Sequence, residues 1–168
     1  TWICSARAGD EVGWGPYVNS SAVTIGNTGG PSVGIVNRSP ATVDLNPGPD
    51  NTTIWCNATI TDPDNYTDIA NATAVFYNVS NAQTLADNFS QQYTNTSCTL
   101  TGSSGNSTVA NCTFSIRYYA TPGTWNCSIN ATDKSVVFAN NYSNITVNEL
   151  IALTVYPATV DFGSTAPG

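Results

Sequence analysis

Fifteen of the 20 asparagines in this chain stand two residues before a Ser or Thr: Asn19, Asn37, Asn51, Asn57, Asn65, Asn71, Asn78, Asn88, Asn95, Asn106, Asn111, Asn126, Asn130, Asn141 and Asn144. With 24 Thr and 16 Ser among 168 residues, random placement would give about five such triplets. The threefold excess points to dense N-linked glycosylation, and therefore to an exported protein. Asn37 is the weakest acceptor, because Pro40 follows its triplet directly.

Five cysteines, Cys4, Cys56, Cys98, Cys112 and Cys127, form the second reactive set. In such a chain they read as disulfides made in an oxidising compartment, with one thiol free or partnered outside the chain. Zinc would need CxxC pairs or His partners, and the chain has neither. The third set is Asp62-Pro-Asp64-Asn65-Tyr-Thr-Asp68, three carboxylates and an amide within seven residues. Hard oxygen donors at that spacing suit Ca²⁺. The same run also reads as turn chemistry, each side chain capping its own backbone. Asn65 cannot both carry a glycan and turn inward as a ligand.

Composition removes other chemistry. With no His and a single Lys (Lys134), the chain lacks the commonest general base. A pair of acids for glycoside cleavage would have to come from Asp62, Asp64 and Asp133 converging in a concave site. The expectation is a protein that is not an enzyme. Four Lys/Arg against eleven Asp/Glu give a net charge of −7, the opposite of a nucleic-acid binder's basic footprint. No apolar run reaches the ~18 residues of a membrane span. The chain has no Met, so it is expected to be a processed or excised part of something longer. An apolar content of 40% is enough for one core.

The elements that must position these groups repeat. Residues 1–5 read Thr-Trp-Ile-Cys-Ser and residues 124–128 read Thr-Trp-Asn-Cys-Ser, which also sets Asp10 against Asp133. Pro40-Ala-Thr-Val-Asp-Leu45 matches Pro157-Ala-Thr-Val-Asp-Phe162 at nearly the same offset. The order and spacing suggest a tandem unit of about 120 residues. On this division, 1–30 are the C-terminal strands of a preceding repeat, 31–148 a complete unit, and 149–168 the first strand of a following repeat or a donor strand. Cys4 is then the equivalent of Cys127.

Within the complete unit the period is two, broken by turn residues such as Asn46-Pro-Gly-Pro-Asp50 and Gly102-Ser-Ser-Gly105. Strands are predicted near 33–37, 41–45, 52–61, 72–79, 92–100, 108–118, 124–132 and 142–148, with one short helical turn near 81–88. Alternation places Ile54, Cys56, Ala58 and Ile60 on one face, as it does Cys112, Phe114, Ile116 and Tyr118, and Trp125, Cys127 and Ile129. Asn57, Asn111, Asn126 and Asn130 then point the other way, where a glycan has room. Trp2, Trp125, Phe114 and Tyr118 read as core; Trp14, Trp55, Tyr17 and Tyr93 read as candidates for exposure, where they would pack on a neighbour or bind sugar.

Cys56 and Cys127 fall in the predicted strands 52–61 and 124–132, 71 residues apart, and here the unit resembles the immunoglobulin fold. The class expected is all-β: an immunoglobulin-like two-sheet sandwich with partial flanking repeats at both ends. The resemblance implies an inter-sheet bridge between Cys56 and Cys127. Cys98 and Cys112, flanking a Gly/Ser turn, would staple a hairpin, and Cys4 would pair outside the chain. It also puts the Asp62–Asp68 loop at the same end as Asp133, adding a fourth carboxylate to the possible Ca²⁺ set. Immunoglobulin domains carry Tyr two residues before the second Cys and Trp on the third strand; here Trp125 takes the first place, and Phe76 or Tyr77 the second.

The stretch from Cys112 to Asp133, with Tyr-Pro-Ala-Thr-Val-Asp-Phe-Gly at 156–163, resembles the tandem immunoglobulin-like repeats of archaeal cell-surface glycoproteins and extracellular filament proteins. The resemblance implies a glycan-coated structural subunit of an extracellular filament or surface layer. Its units would join head to tail, either as a homopolymer of separate subunits or as tandem repeats of one long chain, because 1–30 and 149–168 are expected to need strands from elsewhere. The rival readings are an adhesin or receptor stalk module that binds a sugar or protein, and a Ca²⁺-dependent lectin or glycosidase accessory domain.

Overall fold

A computed structural model of the chain describes residues 3–21, 29–80 and 86–151. Two sheets pack face to face. One has the order β3 (Ser32–Val33), β6 (Asn51–Thr61), β10 (Ser107–Arg117), β9 (Thr99–Ser104), with β4 (Asn37–Ser39) also on β6. The other runs β5 (Thr42–Val43), β12 (Phe138–Val147), β11 (Gly123–Asp133), β7 (Ile69–Asn78), β8 (Gln92–Asn95). Within these sheets all pairings are antiparallel except β5 on β12. This is an immunoglobulin-like sandwich: β4, β6, β10 and β9 take the A-B-E-D positions, and β12, β11 and β7 the G-F-C positions. A separate ribbon, β1 (Ser5–Ala6) with β2 (Val18–Asn19), precedes it.

The core follows the alternation. Ile54, Cys56, Ala58 and Ile60 from β6 and Trp125, Cys127, Ile129 and Ala131 from β11 are all completely buried. Between them Cys56 bonds to Cys127 across the sheets, with the Cα atoms 6.6 Å apart. Phe76 stacks on Trp125 at 4.6 Å between ring centres, and Phe114 meets Phe76 at 5.8 Å. The Trp125 Nε1–H donates to the Thr121 carbonyl at 2.8 Å. Two residues before the strand cysteine, Trp125 thus makes the tie to upstream backbone that a Tyr makes in antibody domains.

The structure corrects four expectations. The single strand placed at 92–100 is two: β8 ends on one sheet and β9 begins on the other. The crossing is held at Cys98, whose N–H donates to Ala72 of β7 while its sulfur is bonded to Cys112 of β10. The second disulfide therefore ties a sheet crossing as well as the β9–β10 hairpin. Tyr118 lies past the end of β10, exposed, edge-on to Tyr119, so it is not core. Tyr93 is buried rather than exposed, because it faces Phe76 and Trp125. Its hydroxyl donates to the Phe89 carbonyl and accepts from the Arg117 N–H at 2.9 Å. Burial pushes that hydroxyl up to about 12, against the lowering effect of the Arg117 amide. Finally, β12 starts at Phe138, four residues before the predicted 142. Trp2, most of the predicted turn at 81–88 and the strand expected over 149–168 fall largely or wholly outside the described residues.

Candidate functional site

The candidate glycan acceptors divide by strand phase. Asn37 pairs with Asn57 and Asn57 with Asn111, so three acceptors form a row across the outer face of one sheet. On the other sheet Asn126 pairs directly with Asn144, and Asn130 lies two positions along the same outward face. Asn19, Asn51, Asn71, Asn88 and Asn106 are exposed at strands or turns. Asn65 is half-buried, and its Oδ1 accepts from the Thr67 N–H at 3.1 Å.

Three acceptors share the core phase instead. Asn78 follows Ala72, Ala74 and Phe76 at period two and is buried at 2% exposure, with its Oδ1 accepting from the Ser80 N–H. A glycan on its amide nitrogen has no room in the folded sandwich, so Asn78 is removed from the acceptor set. Asn95 pairs with buried Ala74, and its Nδ2 donates to the Thr113 carbonyl on the opposite sheet at 3.1 Å. Asn141 pairs with buried Ile129, and its Nδ2 donates to the Gly34 and Val33 carbonyls at 2.9 and 3.3 Å. These two nitrogens join the sheets, a role the sequence reading missed. The signal was present, since Asn95 shares the phase of Tyr93 and Asn141 that of Ile145 and Val147.

The acidic residues converge at one end of the sandwich. β6 ends at Thr61, a 3-10 turn covers Tyr66–Asp68, and the loop between them carries Asp62 and Asp64. One carboxylate oxygen each from Asp62, Asp64 and Asp68 lie within 4.8 Å of one another. Asp62 is completely buried: its Oδ1 accepts from the Asp64 N–H at 2.8 Å, and its Oδ2 accepts no hydrogen bond among the described residues. Asp133, also buried, caps the β11–β12 turn by accepting from the Val137 N–H at 2.8 Å. It lies close enough to act electrostatically on Asp68. The Asp68 carboxyl is held above its ordinary value, first by loss of water and then by the charges of Asp62 and Asp133. Lys134 opposes that rise and Asp64 adds to it.

Gly29 and Gly30 complete this end. The Gly29 N–H donates to Asp64 Oδ2 at 3.3 Å. A Cβ at Gly30 would stand 2.4 Å from Val137 Cγ1, so any larger residue there would have to displace the Val137 side chain. The sequence reading did not single out either glycine; a Gly-Gly pair before the first strand was the available cue.

The ribbon before Gly29 copies part of the sandwich. Ser5 pairs with Asn19 and Ala6 with Val18. Advanced by 123 residues these become Ser128 with Tyr142 and Ile129 with Asn141, which are the observed β11–β12 pairs. Cys4 and Ser20 join through their backbones at 2.8 Å, as Cys127 and Ser143 are paired. Asp10 Oδ1 accepts from Val12 and Gly13 N–H groups in its turn, the counterpart of the Asp133 cap. The environment differs: residues 3–21 are exposed throughout, and Cys4 makes no disulfide among the described residues. Trp14 and Tyr17 are exposed as expected, with the Arg7 guanidinium over both rings at 4.7 and 5.0 Å. Trp55 is exposed on the outer face of β6.

Two buried disulfides fit an oxidising compartment. No helix among the described residues is long and apolar enough to cross a membrane. No family model and no curated protein matches this chain. Among solved structures it is similar to Spo0M, a sporulation control protein from Bacillus subtilis, at 10% identity and a TM-score of 0.39. That alignment covers 71% of this chain and 50% of the other, so the chain spans half the length of that structure, and likeness at this level carries no argument.

Proposed function

We propose that the chain is a structural, non-catalytic unit of an extracellular filament or surface layer of the archaeal glycoprotein kind, N-glycosylated on its outer faces and joined head to tail by strand pairing. One observation supports this reading: the ribbon at 4–20 reproduces the register of β11–β12, yet among the described residues no further strand pairs with it. The β11–β12 hairpin is buried by β7 and bonded to β6 through Cys127. The ribbon's apolar Ile3, Val12, Trp14 and Val18 stand exposed, with Cys4 set where Cys127 would be. The partner of matching chemistry is a β6 and β7 portion that lacks its own β11–β12 hairpin, so that its Cys56 equivalent is a free thiol able to be oxidised with Cys4 in the oxidising compartment; in this chain Cys56 is already bonded to Cys127. Such a contact joins unlike surfaces and propagates instead of closing.

The test is electron microscopy of the glycosylated protein as isolated, with non-reducing gels beside it. Filaments or sheets with density at the outward asparagines, and disulfide-linked multimers that Cys4→Ser abolishes, are expected. Dispersed monomers with a free Cys4 thiol would overturn the reading.

An adhesin or receptor stalk module is the alternative. The exposed Tyr118–Tyr119 pair, ring centres 5.1 Å apart, is the observation in its favour. It predicts monomers that retain a sugar or protein ligand and lose it on Tyr119→Ala.

A further inference from the structure

We propose that Asp62, Asp64 and Asp68 bind a Ca²⁺ ion, with Asp133 behind them, at the end of the sandwich where Gly29 and Gly30 enter. Three clustered acids alone do not make a site. The added observation is Asp62: its side chain is completely buried beside the other two, and its Oδ2 has no hydrogen-bond donor among the described residues. A buried carboxylate oxygen without a partner is costly, and a cation drawn into the cluster would satisfy it.

The spacing fits. Ca²⁺ takes oxygens at 2.3–2.6 Å, so two ligands on opposite sides of one ion stand at most about 5 Å apart. The three carboxylate oxygens lie within 4.8 Å. All donors are oxygens and the chain has no His, which argues against the softer transition metals. The three ligands come from one irregular loop and the turn that follows it, a flexible frame that suits Ca²⁺ better than the strict octahedron of Mg²⁺. The charge balance points the same way, since Lys134 is the basic side chain acting on Asp68 against Asp62, Asp64 and Asp133.

The ion would tie the 62–68 loop to the neighbouring 133–137 turn and, through the Gly29 contact to Asp64, to the segment arriving from the ribbon. The assignment does not depend on assembly, so it and the proposed function fail separately.

The experiment is thermal unfolding of the full chain with Ca²⁺, Mg²⁺ or EGTA, taken to ~10 mM to cover the millimolar affinities of extracellular modules. Tb³⁺ luminescence excited through Tyr66, two residues from Asp68, is the second readout. Ca²⁺ should raise Tm by several degrees and EGTA reverse it, while Asp68→Asn, at a half-buried position that leaves the core intact, should weaken the response at least tenfold. Tyr66→Phe should dim the Tb³⁺ signal without moving the Ca²⁺ response. A flat Tm with no Tb³⁺ signal displaced by Ca²⁺ overturns the site. So does an equal response to Mg²⁺, or one that survives Asp68→Asn, since either would be charge screening.

Discussion

The β1–β2 ribbon and the β11–β12 hairpin share a Trp-x-Cys-Ser start, a turn aspartate and one register, yet one is exposed at every described residue and the other lines the core. Hairpin register is a local property, set by the turn and by the pairing of the first and last residues. Burial is not local. It comes from β7 alongside and from the sheet opposite, and among the described residues the ribbon has neither. The same short text therefore encodes a shape twice and a stability once.

Four measurements can break or sharpen that contrast. The largest effect is expected from Cys56→Ala/Cys127→Ala, which removes a cross-link enclosing 71 residues. Guanidinium unfolding should show a loss of about 4 kcal/mol in the chain-entropy account. Cys4→Ser should leave the sandwich midpoint where it was, and an equal loss there would show that the ribbon is part of the same folding unit. Next, Trp125→Ala should cost about 3–4 kcal/mol, because a buried indole leaves a cavity between Phe76 and Tyr93. Trp14→Ala in the isolated chain should stay within ~0.5 kcal/mol.

The third test is alkaline. Tyr93 stays neutral in the folded state up to about 12, whereas an unfolded Tyr ionises near 10.0. Stability is therefore whole below pH 10 and falls as pH rises from 10 toward 12, by about 2–3 kcal/mol at full loss. Tyr93→Phe should flatten that limb in a pH series of melts, and a limb of unchanged slope would assign the loss to another group. The smallest effect separates the paired positions 18 and 141. Asn141→Ala removes a bridge to Val33 and Gly34 and should cost about 1 kcal/mol by denaturant titration. Val18→Ala should cost nothing measurable until a partner strand is present.

What the sequence disclosed was whatever a period of two controls. The inward sets of β6, β10 and β11 lay in the alternation, as did the outward placement of Asn57, Asn111, Asn126 and Asn130. The break within 92–100 did not, since both halves are extended and only the Ala72 carbonyl and the Cys112 sulfur mark where the chain changes sheets. Tyr93 was misjudged for the same reason: its burial depends on Phe76 and Trp125, residues 17 and 32 positions away. In the acidic loop the spacing named the carboxylates. That Asp62 would be fully buried with a bare oxygen required the neighbouring loops to be in place.

The direct pairing of Asn57 with Asn111, and of Asn126 with Asn144, bears on the timing of the proposed glycosylation. Residues facing each other across a ladder stand about 5 Å apart. If one saccharide tree is rooted there after the strands have joined, it blocks the transferase from the second root. Full occupancy of both members would mean that modification outran sheet formation, and half occupancy the reverse. Mass spectrometry of these two pairs would thus time-stamp the biogenesis of the finished molecule.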